Sequence, residues 1–268
     1  MGYRRFVALG DSCTEGLDDL HPENGLFRGW ADFAAGRMSL LEPDFRYANL
    51  GVRGRRLDQI TAEQMPTAAE LKPDLIALFG GGNDVMSSGW DARTVARRVD
   101  TAISQATSIA PDVVVFTLSD IAGRMPFGRR MRPRIEALND AIREAAVSYG
   151  ARLVDLWPDE AVSDSRYFGP DRLHLSELGH LRLAAHLLAK LGLPYEQSWL
   201  EPLPGTPSRP TWREDVHWFR HQVLPVAITR TRNRMIGRSP GDGFLPKRPQ
   251  LLPMEVTEGT SVWTPGNA

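Results

Sequence analysis

The sequence predicts an α/β fold in which a mostly parallel sheet of five strands is covered by helices on both faces. Three observations lead to this prediction. Short β-type runs alternate with longer helical patterns over the first 194 residues, which is typical of repeated strand and helix units. Several runs are apolar without polar alternation, as expected for strands buried on both sides. The chain of 268 residues is 42% hydrophobic, enough to bury a sizeable core.

Each element has a local signal. The strands are expected at 5–9, 45–50, 74–79, 113–118 and 152–156. The helices are expected at 29–41, 56–71, 91–109, 133–148 and 176–191. The fourth helix places Ile135, Leu138, Ile142 and Ala145 on one face, and Gly150 follows as a stop. Ligands bind such sheets at the carboxyl ends of the strands, so functional residues are sought there.

Composition excludes several protein classes. The net charge is −1, which gives no general reason to bind nucleic acid. The single cysteine, Cys13, cannot form an internal disulfide or a cysteine-based zinc site. No apolar run approaches the roughly 18 residues of a membrane-spanning helix. The apolar stretch from Phe6 to Leu9 is too short for a signal peptide, and a cytoplasmic protein is expected.

The chain is expected to divide near residue 194, into a catalytic domain over 1–194 and an extension over 195–268. Ten of the 20 prolines lie in the last 74 residues. Between residues 209 and 248, nine Lys and Arg stand against three acidic residues, a local charge of +6, and apolar side chains are interleaved with them. Such a segment packs on the domain or a second subunit, or rests on an anionic membrane surface. Residues 249–268 are expected to be flexible.

Serine, histidine and aspartate follow the predicted strands in an order that suits nucleophilic catalysis. Ser12 comes directly after the first strand, within Gly10-Asp-Ser. A serine hydroxyl needs a base to accept its proton, and a neutral imidazole such as His174 suits that task. Asp171, three residues earlier, is placed to orient that imidazole. Taken singly, the Gly-Asp-Ser segment is more typical of a tight turn, and Asp-x-x-His is more typical of a helix cap followed by a surface histidine.

Four blocks together resemble the SGNH hydrolases, also called GDSL esterases or lipases, over roughly residues 4 to 191. The blocks are Gly-Asp-Ser at Ser12, a segment reaching Gly54, Gly-x-Asn-Asp at Asn83, and Asp-x-x-His at His174. The resemblance implies a three-layer α/β/α fold with Ser12 as nucleophile, His174 as base and Asp171 as its orienting acid. It also implies an oxyanion hole formed by the backbone N–H groups of Ser12 and Gly54 and the side-chain amide of Asn83. Such a set needs no metal and no cofactor.

The motif departs from the family pattern at Cys13, where the older family name expects leucine. A cysteine thiolate is the stronger nucleophile, but the pattern places serine on the turn, so Cys13 is expected to pack beneath it. Asp11, adjacent to Ser12, is expected to shape the turn, and Asp84 to shape the site beside Asn83.

Two segments are candidates for substrate contact. An arginine-rich segment over 121–134 follows the fourth strand, and Arg124 and Phe127 within it would touch substrate if the segment overhangs the site. The alternative is a solvated basic loop. Trp90 follows the third block and either lines a pocket or caps the next helix.

The sequence therefore predicts a serine hydrolase of small-molecule esters that forms an acyl-enzyme, with a small acyl group on a polar or carbohydrate alcohol favoured. An acyltransferase, a lipase or a thioesterase would use the same residues. A binding protein that keeps the fold without turnover is the competing class, and the presence of every expected site residue favours the enzyme.

Overall fold

Six strands form a single sheet in the order β5-β4-β3-β1-β2-β6. The structure is a computed structural model, and it describes residues 2–20, 25–121, 125, 128–206 and 210–254. The strands are β1 (Arg5–Gly10), β2 (Arg46–Asn49), β3 (Leu75–Phe79), β4 (Asp112–Phe116), β5 (Arg152–Val154) and β6 (Arg248–Pro253). The first five pair in parallel, whereas β6 pairs antiparallel with β2. The predicted α/β fold with five parallel strands is confirmed, and the sixth strand is an addition.

The helices cover both faces of this sheet. They are α1 (Ser12–Glu15), α2 (Trp30–Ser39), α3 (Leu57–Gln59), α4 (Met65–Leu71), α5 (Gly82–Val85), α6 (Ala92–Ile109), α7 (Gly128–Tyr149), α8 (Glu177–Leu191), α9 (Trp212–Trp218) and α10 (Leu224–Met235). The π-helical segments Ile60–Gln64 and Phe219–Val223 join α3 to α4 and α9 to α10. Short 3-10 turns follow β5 and α8 at Glu160–Ser163, Ser165–Tyr167 and Gln197–Trp199.

Strand β1 lies at the centre and separates two hydrophobic clusters. Val7 and Leu9 point into the cluster formed with α3, α4, α6 and α7. Phe6 and Ala8 point into the cluster formed with α2 and α8. All four side chains are fully buried, because alternate residues of a strand face opposite sides of the sheet and both sides are covered here. The polar residues that follow β1 lie at the edge of the sheet where the parallel strands end.

Helix α7 begins at Gly128, five residues before the predicted start at 133. A start at Pro133 would have suited this residue, since proline favours the first turn of a helix. Pro133 instead lies inside the helix. The carbonyl that loses its partner is that of Arg129, which is exposed, so water can satisfy it and the proline is tolerated. The end of the arginine-rich segment is therefore helical.

The expected flexibility of residues 249–268 is wrong for its first part, because residues 249–253 belong to β6. The signal was weak, since the strand sequence RPQLLP contains two prolines and no polar alternation. Proline is tolerated on an edge strand, and β6 lies at the edge of the sheet, where Arg248 also donates a side-chain hydrogen bond to the carbonyl of Tyr47. Residues 255–268 are not among the described residues. The division into domains at 194 stays a prediction.

Candidate active site

The turn after β1 holds Ser12 in a fixed position. Gly10 has φ +153°, and a Cβ there would fall 2.0 Å from a carbonyl oxygen of β3, so no larger residue fits. The side chain of Gln64 accepts a hydrogen bond from the Gly10 N–H at 2.9 Å and donates one to its carbonyl at 2.8 Å. Asp11 accepts from the backbone N–H of Cys13 and so caps α1, of which Ser12 is the first residue.

Ser12, His174 and Asp171 form one chain of hydrogen bonds. The Ser12 Oγ lies 2.8 Å from His174 Nε2, and His174 Nδ1 lies 2.5 Å from Asp171 Oδ2. The other carboxylate oxygen of Asp171 accepts from the backbone N–H groups of Leu173 and His174 at 2.8 and 2.9 Å. With Nδ1 donating to Asp171, Nε2 is left as the acceptor for the Ser12 proton.

The loop that carries Asp171 and His174 is closed on itself before α8 begins. The Gly169 N–H donates to the carbonyl of His174 at 2.9 Å, and Phe168 and Leu175 form an antiparallel bridge. Arg172 has φ +60°, a left-handed conformation that non-glycine residues rarely adopt. The tight loop brings the acid and the imidazole, only three residues apart, into side-chain contact.

Electrostatics favour a charged acid beside a basic imidazole. Burial opposes charge on both groups, but hydrogen bonds from His174 and from the loop backbone keep the pKa of Asp171 below its usual range. Burial likewise disfavours a charged His174, and the hydrogen bond and charge of Asp171, with the charges of Asp18 and Asp11, outweigh it and raise the pKa of His174 above 6.5. The imidazole is therefore well suited to take up a proton.

Asn83, at the start of α5, faces the serine turn. Its side-chain amide donates to Asp11 Oδ2 and to the carbonyl of Arg55, each at 3.1 Å. A negatively charged oxygen bound there would compete with these two acceptors for an amide hydrogen. Gly54 adopts φ +76° next to Arg55, but among the described residues it is not on the wall of the cavity that Ser12 and Asn83 line.

The two acidic residues of the motif are buried and brace the site. Asp84 accepts from the Leu57 N–H and from the guanidinium of Arg98, both at 2.9 Å, so it ties α5 to α3 and α6. Burial raises the pKa of Asp84. Burial also raises the pKa of Asp11 to about 6, although hydrogen bonds from Cys13 and Asn83 oppose the shift.

A cavity of about 130 Å³ opens beside Ser12 and His174. Its wall is mainly apolar and comes from both faces of the sheet. The apolar side chains include Val85, Met86, Leu118, Ile121, Ile135, Leu156, Val162, Phe168, Leu173, Leu175 and Leu183. Arg182 and His186 also line it, and both are held by Asp159 at 2.7 to 2.8 Å. The cavity suits an apolar group attached to the atoms that react at Ser12.

Of the residues predicted to contact substrate, Trp90 does not belong to the wall of the cavity that the described residues form. Trp90 packs against the hydrophobic cluster of α6 and α7, with the guanidinium of Arg134 5.8 Å from its ring. Arg124 and Phe127 lie outside the described residues. Ile121, from the same segment, does line the cavity.

The Asp171 loop is contacted by two residues that the sequence analysis did not identify as site residues. Asp18 has φ +68° and lies with Asp171 and His174 in a group whose side-chain ligand atoms are within 4.8 Å of one another. Burial, the charge of Asp171 and a hydrogen bond with it raise the pKa of Asp18. Trp218 of α9 donates its ring N–H to the carbonyl of Asp171 at 3.1 Å. Neither has a local motif, because both reach the site through the path of the chain.

The same three residues, Asp18, Asp171 and His174, are the one group among the described residues that could hold a metal ion. The 2.5 Å between His174 Nδ1 and Asp171 Oδ2 argues against it, since two ligands about 2 Å from a tetrahedral metal lie roughly 3 Å or more apart. His180 is fully buried, accepts from the Trp30 N–H, and burial lowers its pKa to about 4. Asp171 and His174 therefore have the geometry of a hydrogen-bonded carboxylate–imidazole pair, and His180 has that of a structural histidine.

Comparison with known proteins identifies the family of this chain. The sequence profile of the GDSL-like Lipase/Acylhydrolase family matches residues 8–182, well over half of the 268 residues. The chain belongs to this family. It is a carboxylic ester hydrolase, as the sequence predicted. None of the curated protein sequences compared with it matches significantly.

Solved structures of similar fold include three hydrolases. An α/β hydrolase from the metagenome of Lake Arreo, Spain, is 22% identical, with TM-score 0.57 over 70% of this chain and 95% of its own. An acetylxylan esterase from Geobacillus stearothermophilus is 19% identical, with TM-score 0.59 over 72% and 97%. The lipase/acylhydrolase from Enterococcus faecalis is 21% identical, with TM-score 0.56 over 72% and 99%. At these identities, the likeness to the three solved structures shows that the fold is shared and shows nothing about substrate.

Proposed function

We propose that this GDSL hydrolase cleaves carboxylic esters through an acyl-enzyme on Ser12, with His174 as the base and Asp171 as its orienting acid. The observation that carries the proposal is the unbroken hydrogen-bond chain from Ser12 Oγ through both ring nitrogens of His174 to Asp171, at the edge of an apolar cavity. A nucleophile, a base and an orienting acid in this arrangement are the parts that acyl transfer requires.

The steps follow from the donors and acceptors of this chain. Ser12 Oγ bonds to the ester carbonyl carbon while its proton passes to His174 Nε2. The imidazolium, stabilised by the Asp171 carboxylate, returns the proton to the leaving alcohol as the ester C–O bond breaks. Water then repeats the sequence on the acyl-enzyme and releases the carboxylic acid and free Ser12.

The negative charge that develops on the carbonyl oxygen needs fixed donors. We assign that task to the backbone N–H groups of Ser12 and Gly54 and to the side-chain amide of Asn83, each such donor contributing on the order of 2.7–4 kcal/mol. Asn83 supports the assignment because its amide is held on the cavity wall next to the serine turn by Asp11 and Arg55. Its amide hydrogen would move from one of these acceptors to the oxyanion.

The cavity beside Ser12 is assigned to the acyl group. Its size of about 130 Å³ is close to the 150 Å³ cavity that holds a benzene-sized molecule of six carbons. We therefore propose a short unbranched acyl group, from acetyl to about hexanoyl, rather than a long fatty chain. For the alcohol, a polar or carbohydrate group is proposed, in keeping with the fold shared with an acetylxylan esterase.

Hydrolysis of p-nitrophenyl acetate, butyrate, hexanoate and octanoate by the full chain tests this assignment. Ser12→Ala should abolish turnover, and a serine-directed phosphonate should give a single adduct located on Ser12 by mass spectrometry. Cys13→Ala should still form that adduct, because the thiol is not the nucleophile. Persistent turnover in Ser12→Ala would overturn the proposal.

The acyl preference has its own test. kcat/KM should rise from acetate to butyrate or hexanoate and fall at octanoate. Leu118 lines the cavity, and Leu118→Ala would enlarge it. This variant should raise kcat/KM for octanoate relative to kcat/KM for acetate. An unchanged ranking would remove the cavity as the acyl site.

Related alternatives give distinct results. An acyltransferase would form a new ester when a sugar or alcohol acceptor is added, detectable by mass spectrometry. A lipase would prefer octanoate, and a thioesterase would prefer acyl thioesters to oxygen esters of equal length. A binding protein would neither turn over ester nor react with the phosphonate while remaining folded.

For segment 209–248 we propose a peripheral contact, with an anionic membrane surface or with a second copy of the chain. Its support is the exposure of large apolar side chains along α9 and α10, where Trp212 is 71%, Ile228 59% and Met235 83% exposed. If the contact is with a membrane, the protein should float with vesicles of anionic lipid and not with vesicles of zwitterionic lipid. If it is with a second copy of the chain, light scattering should give the mass of a dimer. Within the described ranges, no helix is long and apolar enough to cross a bilayer.

A further inference from the structure

Helix α9 of the C-terminal extension packs on the loop that carries the triad acid. The ring N–H of Trp218 donates to the carbonyl oxygen of Asp171 at 3.1 Å, and the Trp218 side chain is buried, with 6% exposed. The next residue, Arg172, lies with its guanidinium 4.9 Å from the centre of the Trp218 ring and pairs with Asp215 at 2.6 Å. Two consecutive loop residues are thus held by one helix.

The held loop is in a conformation that needs outside support. Arg172 has φ +60°, which its own backbone disfavours and which persists where surrounding contacts impose it. The contacts that α9 makes fall on Arg172 and on the peptide group immediately before it. Release of α9 would free this turn to relax, and the Asp171 carboxylate would move with it.

A second part of the extension packs on the segment assigned to the oxyanion hole. A Cβ placed on Gly54 would fall 2.8 Å from Pro240 and 2.9 Å from the backbone N of Gly241. The guanidinium of Arg55 pairs with Asp242 at 2.8 Å. Because the Arg55 carbonyl accepts from Asn83, this contact reaches the predicted oxyanion donors as well.

We infer that the C-terminal extension completes the active site, with Trp218 as a positioning residue for the Asp171 carboxylate. The inference rests on the proposed role of Asp171 as the triad acid. The hydrogen bond and the ring contact of Trp218 are with Asp171 and Arg172, so Trp218 acts through the loop that it holds. The residues that the extension contributes lie beyond the segment that matches the family profile, which ends at 182, so these contacts are a property of this chain and not of the matched region alone.

Trp218→Phe tests the inference, since it keeps an aromatic ring under Arg172 and removes the N–H donor. The matched control is Trp212→Phe, on the same helix but 71% exposed. We expect Trp218→Phe to lower kcat about tenfold at unchanged KM, because small displacements of a catalytic group cost rate more than binding. Trp212→Phe should behave as the native enzyme.

The pH profile separates positioning from a general loss of structure. The hydrogen bond and charge of Asp171 help to raise the pKa of His174, so a displaced Asp171 should move the acidic limb of kcat/KM to lower pH. A loss of fold would lower the amount of active enzyme and leave the limb in place. Asp215→Asn, which weakens the hold on Arg172 and retains α9, should shift the limb in the same direction by less.

The outcomes distinguish this inference from the proposed function. Native kcat and an unmoved acidic limb in Trp218→Phe would overturn the inference, while a dead Ser12→Ala variant would leave the proposed function intact. A loss without a limb shift in Trp218→Phe would also overturn it. If Trp218→Phe does not fold, Asp215→Asn decides by the same two readouts. Turnover that survives Ser12→Ala would remove both proposals.

Discussion

Asp171→Asn should stop catalysis by reversing the tautomer of His174, with little change in structure. In the native chain, Asp171 Oδ1 accepts from two backbone N–H groups and Oδ2 accepts from His174 Nδ1. Asparagine has only one oxygen, and the two backbone donors require it on their side. The NH₂ group then faces Nδ1, which must become an acceptor, so the proton moves to Nε2 and His174 can no longer accept from Ser12.

The geometry also sets the size of the effect. Turning the amide to restore the correct tautomer would set its NH₂ group against two backbone donors and break two hydrogen bonds, each costing about 1–3 kcal/mol when left unmade. The correct tautomer would therefore be a small minority. A triad aspartate replaced by asparagine costs about 10⁴ in kcat where the tautomer reverses. We expect a loss of that order here, with KM nearly unchanged.

The assay is p-nitrophenyl butyrate hydrolysis from pH 6 to 9, together with thermal unfolding of each variant. Asp91→Asn is the matched control, since it removes the same charge at the exposed N-cap of α6, where asparagine caps equally well. Asp171→Asn should unfold near the native temperature and Asp91→Asn should keep native kcat. If Asp171→Asn retained kcat within tenfold of native, the tautomer argument would be refuted.

Three further outcomes are expected. The acidic limb of kcat/KM should have its midpoint above pH 6.5, because His174 must be neutral to act as base and its surroundings raise its pKa; a midpoint at or below 6.5 would contradict this. Asn83→Ala should lower kcat by about 10²–10³ in steady-state assays, and a native kcat would remove it from the oxyanion hole. Gln64→Met removes the side-chain acceptor of the buried Gly10 N–H and one of the two donors to the Gly10 carbonyl, which keeps its bond from the Val52 N–H, so urea unfolding should show a loss of about 1–3 kcal/mol; an unchanged midpoint would show that water or a shifted side chain replaces Gln64.

The sequence was sufficient for the elements that have a strong local period. The five parallel strands and their covering helices follow from apolar runs and helical faces, and the predicted bounds of α6 and α8 differ from those observed by one residue. The candidate site could be predicted because Ser12, Gly54, Asn83 and His174 stand in four blocks that together resemble the SGNH hydrolases. Parallel topology converts distant sequence positions into neighbours at the carboxyl ends of the strands.

Contacts made by residues without a period could not be predicted. Strand β6 has two prolines and is recognisable only by its pairing with β2. Asp18 and Trp218 reach the Asp171 loop through the path of the chain, and no spacing in the sequence relates them to it. The cavity is likewise a product of packing, since its apolar wall comes from both hydrophobic clusters and not from one continuous segment.

The contact between Trp218 and the Asp171 loop gains strength from the way the extension is tied down on both sides of the site. After α9 and α10, the chain returns across Gly54 to β6, and Lys247, directly before this strand, binds Asp32 at 2.6 Å and two backbone carbonyls. β6 also covers the edge of β2, which an open parallel sheet would otherwise leave unpaired. The segment that carries α9 is fixed at one end by α8 and at the other by β6. Trp218 is therefore held near the loop at a high effective concentration, and its contact with the loop costs less conformational entropy than the binding of a free helix would. The few contacts that this tethered helix makes can therefore position the Asp171 loop, which a free helix would hold only weakly.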